Sequence, residues 1–287
     1  LWDLRGQVWQ APVSDLLGGR FRDRLPAYLS GLRKPSPEER IRAAKECAAA
    51  GMAGVKLFTG KASPEFLSEL RAVREAIGPE TLLAVDCINA CDRAGALRIG
   101  SVLDELNGSF LEAPVGAEDM EGHREVGSRL KTRIAAGEYL RSVQQLVPWL
   151  KSGAIQIAQP DVVRSGITAA RRMAAVAQAF HVPVSLHVGV STGIGMAATW
   201  QVAASLPNFL VQEHQFDLFE TANRVLETPL TAQNGELIVP DGPGLGVRVL
   251  EQTVLEQAAE HWVVTPDGAV LDGAVVDNAA LQNRSEA

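Results

Sequence analysis

Cysteine is scarce in this sequence, which has 287 residues and three cysteines, Cys47, Cys87 and Cys91. An odd, sparse set without a regular spacing argues against a disulfide framework and favours a reduced, cytoplasmic chain. Cys87 and Cys91 lie close together, but no second pair of cysteine or histidine residues follows nearby. A structural zinc site, which needs four such ligands, is therefore not expected.

Long apolar runs and excess positive charge are also missing. No run reaches the ~18 residues that would cross a membrane, and the opening residues do not read as a signal peptide. The 27 Lys and Arg residues are outnumbered by 34 Asp and Glu residues, which gives a net charge of −7. This balance argues against nucleic-acid and anionic-membrane partners. It is compatible with a small anionic substrate, because a metal ion or a lysine can invert the field inside one pocket.

What the sequence does have is an alternation of short apolar runs with longer segments that carry apolar residues at three- and four-residue steps. This alternation predicts α/β architecture with a parallel sheet. The runs lie at 26–31, 54–58, 81–86, 109–114, 132–138, 154–161, 183–187 and 208–213. Eight such units predict a TIM-type (β/α) barrel. An open doubly wound sheet fits the same alternation, but neither a G-x-G-x-x-G motif after the first run nor a P-loop is present.

Polar residues recur at the ends of these runs at nearly equal spacing. If the units close into a ring, such residues meet at the rim formed by the C-terminal ends of the strands, where barrels carry their active sites. The residues are Lys56, Asp86, Glu112, Glu138, Asp161, His187 and Glu213. A single acid at a strand end is usually a solvated loop residue. Three in register from adjacent strands, Asp86, Glu112 and Glu138, predict an oxygen-only site for Mg²⁺, with Mn²⁺ as the second choice.

His187 and Asp161 come from neighbouring units, so a carboxylate is expected beside an imidazole. That pairing fixes the tautomer of the imidazole and makes it a better base. The remaining histidines have less informative positions. His214 is expected to point away from the rim by strand alternation, and His123, His181 and His261 are interpreted as surface or packing residues.

An ordered series of motifs resembles the enolase superfamily, in its mandelate racemase/muconate lactonizing enzyme branch. The motifs are GVKLFTG, LLAVD, FLEAPV, IAAGE, QPDVVRSGIT, VPVSLH, LPNFLVQEH and VPDGPGLGV. The resemblance implies a modified (β/α)₇β barrel and a magnesium-dependent abstraction of a proton α to a carboxylate, which gives an enediolate held by the metal. It also implies site roles. Asp86, Glu112 and Glu138 would be the metal ligands and Asp161 with His187 the base dyad. Glu213 would be an acid that can hydrogen-bond a substrate carboxylate oxygen.

Three positions depart from the pattern of this family. Phe58 stands where a second-strand catalytic lysine is usual, although Lys56 remains and can act through its charge near the substrate carboxylate. Ile88 occupies the position of an asparagine or of the histidine of several sugar-acid dehydratases. Ala113 replaces a common second glutamate. An ordinary surface role for Lys56 is the competing interpretation.

These departures favour one reaction over another. A two-base racemase needs a base on each face of the α-carbon, and Phe58 removes one of them. Dehydration of a sugar acid needs one base, with His187 also returning the proton to the departing hydroxyl. We therefore expect a hydro-lyase that acts on a sugar acid. The alternatives are a one-base epimerase or racemase, a cycloisomerase, and a catalytically impaired metal-binding homologue.

The domain organisation predicted from the sequence is a barrel over residues 1–225 and a C-terminal segment over 226–287. The resemblance implies an N-terminal capping domain, which we do not expect within these residues, and LWDLRGQVWQ reads as the inside of a helix. The C-terminal segment would pack on that cap, and its two Asp-Gly pairs predict a small hairpin. Apolar surface left uncovered favours a homo-oligomer.

Overall fold

The computed structural model describes residues 1–257, 262–264 and 270–272. The helices are α1 Trp2–Trp9, α2 Val13–Leu16, α3 Pro37–Ala49, α4 Pro64–Ile77, α5 Arg93–Glu105, α6 Met120–Ser128, α7 Val143–Ser152, α8 Val162–Ser165, α9 Ile167–Ala179, α10 Gly193–Ala204, α11 Phe216–Asn223 and α12 Glu251–Gln257. The strands are β1 Arg24–Ser30, β2 Gly54–Phe58, β3 Leu82–Asp86, β4 Phe110–Glu112, β5 Arg133–Ala136, β6 Ile157–Ala158, β7 Gln212–His214, β8 Ala232–Gln233, β9 Glu236–Ile238, β10 Trp262–Val264 and β11 Val270–Asp272.

Short polar residues begin the helices that follow the strands. Ser36 accepts a hydrogen bond from the backbone of Glu39, whose side chain accepts one in return, and Pro37 occupies the first turn of α3. Ser63 caps α4 in the same way, and Asp92 caps α5. Each cap satisfies a backbone N–H that the helix leaves unpaired and contributes about 1 kcal/mol. These caps end each loop at the rim and so help to fix where the strand-end side chains lie.

The parallel strands close into a ring. β1 to β6 are hydrogen-bonded in sequence order, and β7 pairs with the other edge of β1. Parallel bridges from Ala158 to Val184 and from Val184 to Phe209 join the remaining gap. The predicted TIM-type barrel is confirmed, and the C-terminal ends of its strands form a single rim.

The run at 183–187 differs from a regular strand. It is joined to its neighbours only by isolated bridges at Val184 and His187. The carbonyl oxygen of Pro183 accepts a hydrogen bond from the backbone N–H of Ala158. Because Pro183 has no backbone N–H, it cannot donate one in return, which interrupts the ladder at this position. The run nevertheless occupies the seventh place in the ring, so His187 still reaches the rim.

Two layers of apolar side chains hold the barrel together. The helices pack on the outside of the sheet through a large buried cluster that includes Leu70, Ile99 and Trp200. A smaller cluster fills the interior below the rim, with Tyr28 and Phe110 in an edge-to-face contact at its centre. This apolar layer fills the barrel directly beneath the polar residues of the rim.

The segment after residue 225 returns to the far end of the barrel. β9 pairs antiparallel with the start of β1, where Leu25 lies opposite Leu237. Further on, Gly244 packs closely on Gly6 of α1, an approach that leaves no room for a Cβ at Gly6. β10 and β11 pair antiparallel, in agreement with the predicted hairpin, whose turn lies outside the described residues together with His261.

None of the described helices combines the length and the apolar character needed to cross a membrane.

Candidate active site

A buried lysine lies at the centre of the rim. Lys56, on β2, has no exposed surface. Its Nζ lies 2.7 Å from Oε2 of Glu112, 3.0 Å from Oε1 of Glu213 and 3.6 Å from Oδ2 of Asp86. The interpretation of Lys56 as a surface lysine is therefore wrong, because a fully buried ammonium group is stable only when carboxylates surround it.

The charges in this cluster depend on one another. Burial opposes the charge of Lys56, but the carboxylates of Glu112 and Glu213 outweigh burial and hold the pKa of Lys56 well above its usual value. Burial raises the pKa of Glu112 to about 8, against the attraction of Lys56. Burial also opposes ionisation of Glu213, yet Lys56, His187 and the hydroxyl of Ser30 together lower its pKa. Glu213 is thus held here as a carboxylate rather than as a neutral acid.

Replacement of Lys56 by methionine is expected to destabilise the protein by about 3–5 kcal/mol, because it leaves buried carboxylates without their cation. Urea denaturation with a chelator present measures this change. Lys34→Met is the matched control, since Lys34 is 44% exposed and 3.9 Å from Asp217, and it should cost less than about 1 kcal/mol. Equal losses for the two variants would contradict a buried charge cluster.

The second cluster at the rim is an imidazole between two carboxylates. Nδ1 of His187 lies 2.7 Å from Oδ2 of Asp161, and its Nε2 lies 2.7 Å from Oε2 of Glu138. The other oxygen of Asp161 accepts a hydrogen bond from the backbone N–H of Arg164 at 2.9 Å, as the N-cap of α8. Because Asp161 is fixed from both sides, His187 is held in one orientation, with Nε2 directed toward Glu138.

The protonation of His187 follows from these neighbours. Burial lowers the pKa of its imidazole, but the charge of Glu213 and the hydrogen bonds to Asp161 and Glu138 outweigh burial and raise it well above the usual value. The same hydrogen bonds lower the pKa of Asp161 and Glu138 against the effect of burial. Glu213, Asp161 and Glu138 together favour the charged imidazole. His187 can therefore accept a proton at Nε2 only after Glu138 has turned away and the proton on Nε2 has passed to solvent.

The three predicted metal ligands lie at neighbouring strand ends, but their side chains face two different cations. Asp86 and Glu112 are directly in register across β3 and β4 and both face Lys56, whereas Glu138 follows β5 and faces His187. Among the residues that the structure describes, no three or more His, Cys, Asp and Glu side chains are arranged to hold a metal ion. The donor chemistry itself fits Mg²⁺, since all three are carboxylates on adjacent strands. Sharing one ion would require Glu138 to leave His187.

Asp86 is also fixed by an unusual turn. Its Oδ1 accepts a hydrogen bond of 2.7 Å from the backbone N–H of Ile88. Ile88 and Asn89 both have positive φ angles, 48° and 58°. A β-branched residue in this region costs on the order of 1–3 kcal/mol. The turn directs the side chain of Ile88 outward, where it is 54% exposed.

Comparison with known proteins identifies the family. The family model described as Enolase C-terminal domain-like matches residues 39–253. The chain belongs to the enolase superfamily. The expectation drawn from the motifs is confirmed, including the mandelate racemase/muconate lactonizing branch. Members of this superfamily generally use Mg²⁺.

Curated relatives within the superfamily act on sugar acids and related lactones. The chain is 31% identical to the D-gluconate dehydratase of Thermoproteus tenax over 91% of its own length and 55% of that protein. It is also 31% identical to the D-galactarolactone cycloisomerase of Agrobacterium fabrum, over 89% of the chain and 71% of the relative. The chain thus spans about half the length of the first of these relatives.

A solved structure of the superfamily supports the fold. The 3,6-anhydro-D-galactonate cycloisomerase of Zobellia galactanivorans is 27% identical, with a TM-score of 0.82. The match covers 89% of this chain and 72% of that one.

Uncharged polar residues that the sequence analysis missed hold the two clusters in place. Ser30 donates a hydrogen bond of 2.6 Å to Glu213, and Gln159 donates one of 2.7 Å to Glu112. The backbone N–H of Val188 donates to the other oxygen of Glu213. Ser30 ends a strand and Gln159 follows one, as the charged residues do, but without a charge they did not stand out.

Phe58 ends β2 in register with Asp86, at the position of the second lysine of the superfamily motif. Its ring packs against Gly31, whose φ of 68° and lack of a side chain leave space for it. The ring centroid lies 5.6 Å from Nζ of Lys56. An apolar surface therefore covers one side of the site.

Proposed function

We propose that the chain is the barrel of a magnesium-dependent hydro-lyase that removes the proton α to the carboxylate of a sugar acid. The observation that carries this proposal is the Asp161–His187 pair. Nδ1 of His187 is held 2.7 Å from Asp161, and Nε2 is directed toward Glu138 at the rim. A positioned imidazole is the commonest protein base for such a proton. The sugar-acid dehydratases among the relatives support the choice of substrate.

In this proposal each cluster has a separate task. His187 accepts the α-proton at Nε2 after Glu138 has turned away and the proton already on Nε2 has passed to solvent, and Asp161 holds the imidazole in the tautomer with its proton on Nδ1. Lys56 supplies a fixed positive charge beside the substrate carboxylate. Asp86, Glu112 and Glu138 are the proposed ligands of Mg²⁺, which when bound would stabilise the negative charge that develops on the substrate carboxylate.

The elimination proceeds through an enediolate and releases one water. The α-C–H bond breaks and its electrons form the enediolate of the acid. Collapse of the enediolate forms the C2–C3 double bond and breaks the C3–O bond, and the leaving hydroxyl takes the proton from His187 and departs as water. The resulting enol becomes a 2-keto-3-deoxy acid in solution.

Incubation with a panel of aldonic acids in D₂O with Mg²⁺ tests this proposal. We expect NMR to show a 2-keto-3-deoxy product from at least one acid, with Mg²⁺ required. A panel in which no acid exchanges its α-proton or loses water would overturn it.

A cycloisomerase is the second candidate, because two of the relatives described above carry that activity. The same α-proton abstraction with a ring oxygen as leaving group opens the ring without loss of atoms. Mass spectrometry separates the two reactions, since a dehydration product has lost the mass of one water and an isomer has not.

Metal binding has a test that does not depend on turnover. At about 100 times its Kd, Mg²⁺ should raise the free energy of unfolding by about 2.7 kcal/mol, and Asp86→Asn should remove most of that gain. Glu220→Gln, at a side chain that is 92% exposed, is the control and should keep it. Denaturation curves with and without Mg²⁺ give the measurement. An unchanged gain in Asp86→Asn would remove Asp86 from the proposed ligands.

A further inference from the structure

An arginine beside the second cluster contacts the same two carboxylate oxygens as His187. Nε of Arg164 lies 3.6 Å from Oδ2 of Asp161, and its Nη2 lies 3.7 Å from Oε2 of Glu138. Each of these two oxygen atoms also lies 2.7 Å from a ring nitrogen of His187. Two carboxylates and two basic side chains therefore alternate around a closed cycle at the rim.

Contacts outside this cycle fix the position of Arg164. Its guanidinium group lies over the ring of Tyr139, 4.4 Å from the ring centroid, and the face of an aromatic ring attracts a cation. The backbone N–H of Arg164 donates to Asp161, and its carbonyl oxygen accepts a hydrogen bond of 2.9 Å from Nη1 of Arg141. The side chain is 31% exposed. Arg164 is thus a fixed and partly shielded positive charge.

The two carboxylates of the cycle differ in their freedom to move. The side chain of Asp161 is 3% exposed and caps α8 through its other oxygen. The side chain of Glu138 is 20% exposed and follows the end of β5. Glu138 is therefore the member of the cycle that can turn. To join Asp86 and Glu112 at a metal ion, it must leave Arg164 as well as His187.

We propose that Arg164 is a positioning residue that holds Glu138 on His187 and so opposes the transfer of Glu138 to Mg²⁺. The inference rests on the proposed function for the identity of the metal ligands. A ligand shifts an equilibrium only by the difference in its affinity for the two states. Contacts that favour the state with Glu138 on His187 therefore weaken the binding of Mg²⁺. Asp161 keeps its contact with Arg164 after the transfer, so the base dyad retains its orientation.

Replacement of Arg164 by methionine tests this competition through the affinity for Mg²⁺, which calorimetry measures without substrate. The variant should bind Mg²⁺ about three- to fivefold more tightly than the parent, the upper range of what an exposed ion pair contributes. Damage to the fold would weaken binding, so tighter binding separates positioning from a structural role. Arg164→Lys keeps the charge and should return the affinity toward that of the parent. Unchanged or weaker binding in Arg164→Met would overturn the proposal.

A double substitution separates the contact with Glu138 from a general repulsion between Mg²⁺ and positive charge. In a Glu138→Gln background, Arg164→Met should change the affinity by less than about twofold, because the carboxylate that Arg164 holds is gone. Arg33→Met is the matched control, since Arg33 is exposed in the loop that follows β1 at the same rim, and it should bind as the parent does. A gain that persists in the Glu138→Gln background, or an equal gain in Arg33→Met, would contradict a role through Glu138.

The same measurements distinguish this inference from the proposed function. Binding of Mg²⁺ to the parent without a gain in Arg164→Met would overturn the role of Arg164 alone. Absence of binding in every variant would defeat the proposed metal site. Urea denaturation with a chelator present would then decide the contact itself. Arg164→Met should lower the urea midpoint more in the parent than in Glu138→Gln, and equal losses would show that Arg164 does not hold Glu138.

Discussion

Replacement of His187 by asparagine is expected to slow exchange of the substrate α-proton in D₂O by about 10²–10⁴-fold, the usual contribution of a positioned base. Asparagine is close in size to part of the imidazole and can still donate to Asp161, so the rim should keep its shape. What disappears is the Nε2 lone pair. NMR of the recovered substrate measures the exchange, with turnover to the keto acid as a second readout.

His181→Asn provides a matched control for that experiment. His181 is exposed, follows α9 and has a φ of 58°, a conformation that asparagine tolerates well. This variant should exchange the α-proton at the parent rate. Undiminished exchange in His187→Asn would remove His187 from the role of base and leave the second cluster without a catalytic task.

The barrel and the rim could be predicted because they depend on repetition. Eight apolar runs, each followed by an amphipathic segment, can bury their apolar residues in few ways, and closure of the ring brings strand ends together whatever their side chains are. Even the run that begins at Pro183 occupies its expected place in the ring, although it does not form the regular hydrogen-bond ladder of a strand. Position in the ring thus survives local departures from strand geometry.

The directions of the side chains could not be predicted in the same way. For Lys56 the sequence allowed both a catalytic role at the rim and an ordinary surface role, because its burial depends on three carboxylates contributed by other strands. For Glu138, too, the sequence does not show in which direction the side chain points. Its spacing marks it as a metal ligand, but a carboxylate turns to the nearest cation, which in this arrangement is His187. Spacing therefore predicts which residues meet, while the balance of charge decides which of them pair.

Replacement of Phe58 by lysine tests how the rim chooses between elimination and racemisation. β2 and the segment at His187 lie on different sides of the ring, separated by β1 and β7, so a base at position 58 would reach the substrate from another face. In the parent, the proton should leave and return only at His187, and recovered substrate should contain deuterium with its configuration retained.

The Phe58→Lys variant is expected to form the C2 epimer at a rate about 10²–10⁴-fold above the parent. The charge of Lys56 lies 5.6 Å from the present ring centroid, and a neighbouring cation lowers the pKa of a new lysine, so part of it is neutral and able to act as a base. Chiral chromatography of recovered substrate measures the epimer. Phe58→Leu is the control, because it changes the ring without adding a base and should give no epimer. A folded Phe58→Lys variant that still exchanges deuterium at His187 but yields no epimer would show that the apolar side chain at position 58 does not decide the outcome.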